Sequence, residues 1–360
     1  MELAHYLPGH RLHSCTPWVP RSGVETSVRL RRLLLCLLLA GCGESGPAAP
    51  GPAGGDPPIG GDPPGESGAL ANIGGCQIFP ADNSWNRDVS ADPVASNSAA
   101  LLAVMSPAAA LHLDLGTTEE YYGIPYSVVP ADQPLVPITF GTDGADYSDE
   151  SDPGPMPIPL DAAIEGGSTA EPDPGSGDRH VLVIRQGECA LYELYNAVRT
   201  GGGFRVSSSA RWDLTTNATR PAGWTSADAA GLPILPGLLK HAEVSEDRLT
   251  HAIRFTVPQV RRAYVAPASH CGQYDDASLP PYGTRVRLRA DFPLASYTGD
   301  ALVLLTALKR YGLMLADQGS PWYLTGTSDP AWSDALDQLR AHPVRGSDFE
   351  VLQSGPMTTC

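Results

Sequence analysis

Four cysteines constrain what this chain can fold into more than any other feature. Of the seven in 360 residues, Cys15 and Cys36 lie early and Cys42 closes a short apolar run. That leaves Cys76, Cys189, Cys271 and Cys360. An even number of widely spaced cysteines in an exported chain reads as a disulfide framework. Four cysteines admit three pairings. Cys76–Cys189 with Cys271–Cys360 is the favoured one, because a bridge from Cys360 ties down an otherwise loose tail. A structural zinc site is the weaker reading, since no two of the four have C-x-x-C spacing.

The expectation of export rests on residues 28–42. Arg29, Arg31 and Arg32 precede the apolar run Leu33 to Leu39, and Leu39-Ala40-Gly41-Cys42 follows. This is the layout of a bacterial lipoprotein signal, in which a cysteine thiol is acylated and the chain is cut just before it. The run is far shorter than the ~20 apolar residues of a spanning helix. Cys42 is therefore the expected lipidated first residue, with 28–41 as signal peptide. Residues 1–27, with Pro8, Pro17 and Pro20, do not fit a signal and are expected to lie upstream of a true start near Val28. Residues 42–75 carry GGDPPIGGDPPGESG and read as a flexible tether. A single globular domain is expected over 76–360. The expected location is the bacterial cell envelope, outside the cytoplasm, with membrane contact through the lipid alone.

The formal charge is −16. Removing residues 1–41 takes away five basic and two acidic residues and leaves −19. Such a surface repels phosphate backbones, which argues against nucleic acid as a partner. A monomer is expected, with neutral glycans, cations and peptides as compatible partners.

The pattern beyond Cys76 is mostly strands and turns. His180 to Arg185 is a β-branched run ending in the turn Gln186-Gly187, and 190–198 resumes it, so the two read as a hairpin. Residues 251–257, 261–266 and 284–290 alternate as strands with one buried and one wet face. Helices are expected over 97–105, 300–311 and 331–341, with a single turn at 226–230. The fold class is mainly β: a β-sandwich of jelly-roll type with a few peripheral helices, and a mixed α+β domain as the second choice.

Four local constellations carry candidate chemistry. DGADYSDESDPGP places Asp143, Asp146, Asp149, Glu150 and Asp152 within ten residues. Oxygen ligands on such a loop suit calcium, with Asp143, Asp146 and Asp149 as ligands, and a solvated acidic loop is the plainer reading. In Tyr192-Glu193-Leu194-Tyr195, a strand puts Glu193 and Tyr195 on one face; Glu193 is either a catalytic carboxylate or the partner of an arginine such as Arg254. The segment from Arg220 to Pro233 offers Trp224 beside Gly223 as a sugar platform, with Ser226 capping a short helix and Asp228 in its first turn. The fourth, Asp317-Gln-Gly-Ser320-Pro-Trp322-Tyr323, places aromatics after a turn, either as a carbohydrate surface or as strand core. His180, His251 and His270 are candidates for a metal ligand or a general base, but each stands alone at a strand end with no H-E-x-x-H spacing, and a hydrogen-bonded structural histidine is the plainer reading. No G-x-S-x-G elbow, Walker loop or dinucleotide fingerprint is present in the sequence.

Several longer phrases add a resemblance: FPADNSWN (79–86), YGIPY (122–126), DESDPGPMPIP (149–159), DRHVLVI (178–184), LYELY (191–195), RPAGWTSADAAGLPILPGL (220–238) and ADQGSPWYLTG (316–326). Through them the chain from Cys76 to Val351 resembles a family of exported bacterial and fungal proteins of unassigned activity. The resemblance implies an exported single domain and supplies no catalytic residue.

Taken together, these features lead to the expectation of a surface-anchored glycan-active enzyme, a glycoside hydrolase using paired carboxylates. Glu193 and Asp228 are the expected pair, with Glu150 or Asp152 as replacement. Arg220, Trp224, Tyr195, Trp322, Tyr323 and His180 are the expected substrate contacts on a polysaccharide or oligosaccharide. No cofactor is required, and calcium is the one ion the acidic loop suits. Two alternatives are a non-catalytic carbohydrate- or calcium-binding lipoprotein and a calcium-assisted polysaccharide lyase.

Overall fold

The computed structural model describes residues 71–117, 122–142, 145–167, 177–333 and 336–360. The signal segment, Cys42, residues 43–70 of the tether and Asp143 lie outside the described residues. The last tether residues are a correction to the expected start at Cys76: Asn72–Ile73 forms a strand paired with Cys76–Gln77, and Ala71 and Ile73 are buried, because their apolar side chains pack into the core.

The fold is mainly β, sandwich-like, with few helices, all short apart from Gly299–Arg310. At its centre is a four-stranded sheet. Val181–Arg185 and Ala190–Tyr195 form the expected hairpin, Ser208–Asp213 adds antiparallel to its second strand, and Tyr126–Val129 adds parallel to its first. The strand Ala190–Tyr195 is buried along nearly its whole length. Period-2 geometry then sends alternate side chains to two different cores. Ala190, Tyr192 and Leu194 pack with Phe204 and Val206 of a three-stranded sheet, whereas Leu191 joins Trp212 in the main core.

That main core is shared with a six-stranded sheet, in the order Phe349–Val351, Arg285–Leu288, Leu313–Gln318, Ile253–Val257, Tyr323–Thr325, His112–Asp114. Its two central strands, Ile253–Val257 and Leu313–Gln318, run parallel. Ile253–Val257 is buried at four of five positions, unlike the half-wet strand its alternation predicts. Strands covered on both faces have no wet face to alternate toward. The helix Gly299–Arg310 caps this core with Leu304, Leu305 and Leu308 on one stripe. Gly312 follows at φ +68°, where a Cβ would lie 2.2 Å from the Val286 carbonyl oxygen, so only glycine fits this helix exit. Among the described residues no helix is long and apolar enough to cross a membrane.

Both disulfides pair as favoured, Cys76–Cys189 and Cys271–Cys360, as suits a chain folded in an oxidising compartment. The second fixes the end of the strand Met357–Thr359, which pairs with Ala263–Val265. Replacing Cys271 and Cys360 together by serine should lower unfolding free energy by about 2–4 kcal/mol. Denaturant titration checks this, and the gap from the unmodified protein should close in reductant.

Candidate functional site

One end of the four-stranded sheet faces the carboxyl end of the central parallel pair, and a cavity of about 320 Å³ lies between them. Strand register explains what the first wall presents. Val181 sits opposite Leu194 and Ser208 opposite Tyr195, so His180, Tyr195 and Ser208 emerge together at one sheet end. All three line the cavity.

The second wall depends on a bulge. Phe255 faces Leu315 but Thr256 faces Asp317, so Ala316 is an extra residue in its strand. A bulge bends its strand and re-aims the next side chain, and here Asp317 and Gln318 reach the cavity. The carboxyl ends of parallel strands are where open sheets commonly hold ligands. Segments 225–229 and 270–273 close the remaining sides, with Asp178, Tyr147 and Tyr282.

The electrostatics are those of a buried charge network opening on one side. The His180 ring lies between two oxygens, with Nδ1 2.6 Å from a Glu165 carboxylate oxygen and Nε2 3.1 Å from the Ala227 carbonyl. Both nitrogens therefore act as donors, which requires the imidazolium. Burial pulls its pKa down, but the Glu165 carboxylate outweighs this and lifts it from 6.5 to about 9. The stability from this pair is complete between about pH 4.5 and 6.5, is lost as pH rises through about 9, and is lost in acid as Glu165, held below 4.5 by His180, takes up its proton.

Behind the opposite wall, Arg254 donates through Nε and Nη2 to the two oxygens of Asp228, each at 3.1 Å, and through Nη1 to Thr325 Oγ1. Burial pushes the Asp228 carboxyl up while the guanidinium pulls against it. Asp317 stands 3.8 Å from the same guanidinium with its side chain 27% exposed. Burial and the neighbouring Asp228 charge raise it to about 7, against the pull of Arg254. Burial, then Asp178, raise the Tyr195 phenol to about 12, so it stays a neutral donor and acceptor.

The expected site residues separate into two groups. His180 and Tyr195 line the cavity, and Tyr195 shares the sheet face of Glu193 as the strand period predicts. Glu193 itself is 0% exposed and does not line the cavity. Its oxygens accept the N–H groups of Ile234 and Leu235 at 2.9 and 3.0 Å and the indole N–H of Trp212 at 3.1 Å. It organises the 234–235 turn, and the arginine that sequence offered it, Arg254, belongs to Asp228. Asp228 is equally enclosed. No helix forms at 226–230; instead the Ser226 hydroxyl accepts the Asp228 N–H at 2.9 Å in a turn.

Glu150 and Asp152 brace that turn. Glu150 accepts the Thr225 N–H at 2.9 Å and stands 3.7 Å from His270 Nε2. Asp152 pairs with Arg220 at 2.5 Å and accepts the Arg211 N–H. The Arg220 guanidinium in turn lies over Trp224 and Trp212, which covers part of the expected sugar platform. Trp322, expected on a sugar-binding surface, lies in the core instead. It is 0% exposed, donates its indole N–H to the Met105 carbonyl, and stacks between Phe255 and Phe349. A sugar has no face to reach, because the returning strand turns the ring into the core. Tyr323 stacks on His112 at 3.9 Å, away from the cavity wall. His251 is buried against Lys240 and Glu243. In the acidic loop, Asp146 accepts the Ser148 N–H and Asp149 is exposed. Among the described residues no group of three or more His, Cys, Asp or Glu is placed to hold a metal ion.

Glu193→Gln tests the structural role directly. An amide leaves at least one buried N–H without an acceptor, at a cost of about 1–3 kcal/mol. Burial raises the Glu193 carboxyl from 4.5 to about 7 despite its N–H donors. The folded state therefore binds this proton more tightly, and stability falls as pH rises from about 4.5 through about 7. Thermal melts across that window should show the dependence in the unmodified protein and a flatter profile in Glu193→Gln.

Sequence reasoning passed over Asp178 and Asp317 as chemistry. The available signal was a carboxylate ending the apolar run Leu313 to Ala316. Comparison of the chain with family models, with curated proteins and with solved structures finds no match.

Proposed function

We propose that this chain is a glycan-active enzyme, a glycoside hydrolase anchored outside the cytoplasm through Cys42, with its chemistry in the cavity between the two sheets. The observation that carries the reading is that Asp178 and Asp317 line one cavity, near enough for the Asp178 charge to help raise Asp317 to about 7. Hydrolysis of a glycosidic bond needs one carboxyl group that holds a proton and a second that carries charge. Asp317 is the general acid that protonates the departing glycosidic oxygen. Asp178 is the second carboxylate. It makes no hydrogen bond or ion pair through its side chain among the described residues and stands at an exposed position.

The remaining wall suits a polyhydroxylated ligand. Tyr147, Tyr195 and Tyr282 present phenols, and Ser208, Thr225 and Ser226 present small polar groups that allow close approach. Its volume of about 320 Å³ falls at the lower end of the ~300–1,000 Å³ usual for small-ligand sites. His180, fixed as an imidazolium by Glu165, holds its part of the wall rigid.

The test is reducing-end release from a broad polysaccharide panel by purified 43–360, with calcium and with a chelator. Release supports the reading. Binding of a glycan without any release overturns it in favour of a non-catalytic binding lipoprotein.

A further inference from the structure

We infer that the glycan unit seated in this cavity is a 2-amino hexose bearing a free, positively charged amino group, received by Asp178, the same carboxylate that faces the neighbouring anomeric carbon. This deepens the hydrolase reading and rests on it. The argument begins with the cations. Among the described lining residues there is no lysine or arginine. Cations beside the cavity are already engaged: His180 by Glu165 and the Ala227 carbonyl, Arg254 by Asp228 and Thr325, and Arg179 by the Ala197 carbonyl. A uronate, sulfate or phosphate on the sugar would meet Asp178, and the remaining lining histidine, His270, already faces the Ala229 carbonyl and the Glu150 carboxylate.

An ammonium group meets the opposite situation. Asp178 stands on the wall without a hydrogen-bond or ion-pair partner for its side chain among the described residues, and Tyr147, Tyr195 and Tyr282, a residue type that attracts cations, line the same cavity. Gln318 also lines the cavity, and its side-chain amide suits the polar groups of a sugar. An N-acetyl group would remove the charge and bring a methyl group to a wall whose small apolar contacts are only Ala227, Ala229 and Cys271. The negative field of the whole chain, at −16, favours encounter with cationic oligomers as well.

The experiment uses 43–360 carrying Asp317→Asn to silence turnover, with calorimetric titration of short homo-oligomers of glucosamine and of galactosamine. Their N-acetylated, neutral hexose and hexuronate counterparts run alongside. One amino oligomer should bind at least tenfold more tightly than its acetylated and neutral counterparts, and the uronates least. Adding Asp178→Asn should abolish that preference, with an unchanged circular-dichroism spectrum, since the residue is exposed. Equal or tighter binding of neutral or uronate oligomers, or a preference that survives Asp178→Asn, overturns the inference. The two readings fail separately. Cleavage of neutral or acidic glycans by the unmodified protein, without the amino preference, sinks the hexosamine assignment and leaves the hydrolase. Absence of binding to every oligomer removes the hexosamine assignment outright, and absence of cleavage removes the hydrolase.

Discussion

Asp317→Asn lowers turnover of unactivated glycans by about 10²- to 10⁴-fold, the usual contribution of a positioned general acid, and leaves the fold intact. The side chain accepts only its neighbouring Gln318 N–H at 2.7 Å and stands 3.8 Å from Arg254. An amide preserves the shape and the acceptor while removing the proton. The pH profile separates this from a structural effect. Asp317 carries its proton below about pH 7, so activity of the unmodified protein should fall as pH rises through about 7. The variant should lose that limb. Aryl glycosides, whose leaving group needs no proton, should be far less affected than natural linkages. A uniform loss across both substrate types would point to damaged geometry instead.

Arg254→Met has the largest expected effect on stability, a loss of about 3–5 kcal/mol, because it strands a buried carboxylate. Asp228 is fully enclosed and both its oxygens are bound by that one guanidinium. Replacing both members, as Arg254→Met with Asp228→Leu, should recover much of the loss, since a buried pair exchanged for apolar side chains is often close to neutral. Urea titrations of the three variants check this. The same change should act on the site. Arg254 holds the Asp317 carboxyl down, so its removal should move the alkaline limb above pH 7. Stability and pH profile thus share one residue but are read independently.

What the sequence allowed and what it hid have physical reasons. The hairpin Val181–Arg185 with Ala190–Tyr195 was legible because β-branched runs flank a glycine turn, and the helix Gly299–Arg310 because its leucines recur at helical spacing. The disulfide framework was legible because four widely spaced cysteines, none at C-x-x-C spacing, have few uses besides bridging. The role of Glu193 was not. Its strand alternates chemically, yet both faces are covered, so a carboxylate that looked as if it faced a ligand serves backbone N–H groups. Trp322 misled for a similar reason: a turn rich in Gly and Ser resembles a binding loop, while a ring at φ +60° folds back into the core. Asp317 depended on a one-residue bulge at Ala316, and bulges leave little trace in a short apolar run. His180 and Tyr195 were visible as residues, but their meeting with Asp317 arises only from the packing of two sheets.

The most direct test compares reducing-end release by Asp317→Asn and Glu193→Gln against the unmodified protein, normalised to folded fraction. The account predicts that Asp317→Asn is folded and nearly silent, while Glu193→Gln is less stable and turns over at close to the full rate per folded molecule. A folded, silent Glu193→Gln beside an active Asp317→Asn would contradict it and return the chemistry to the interior of the sheet.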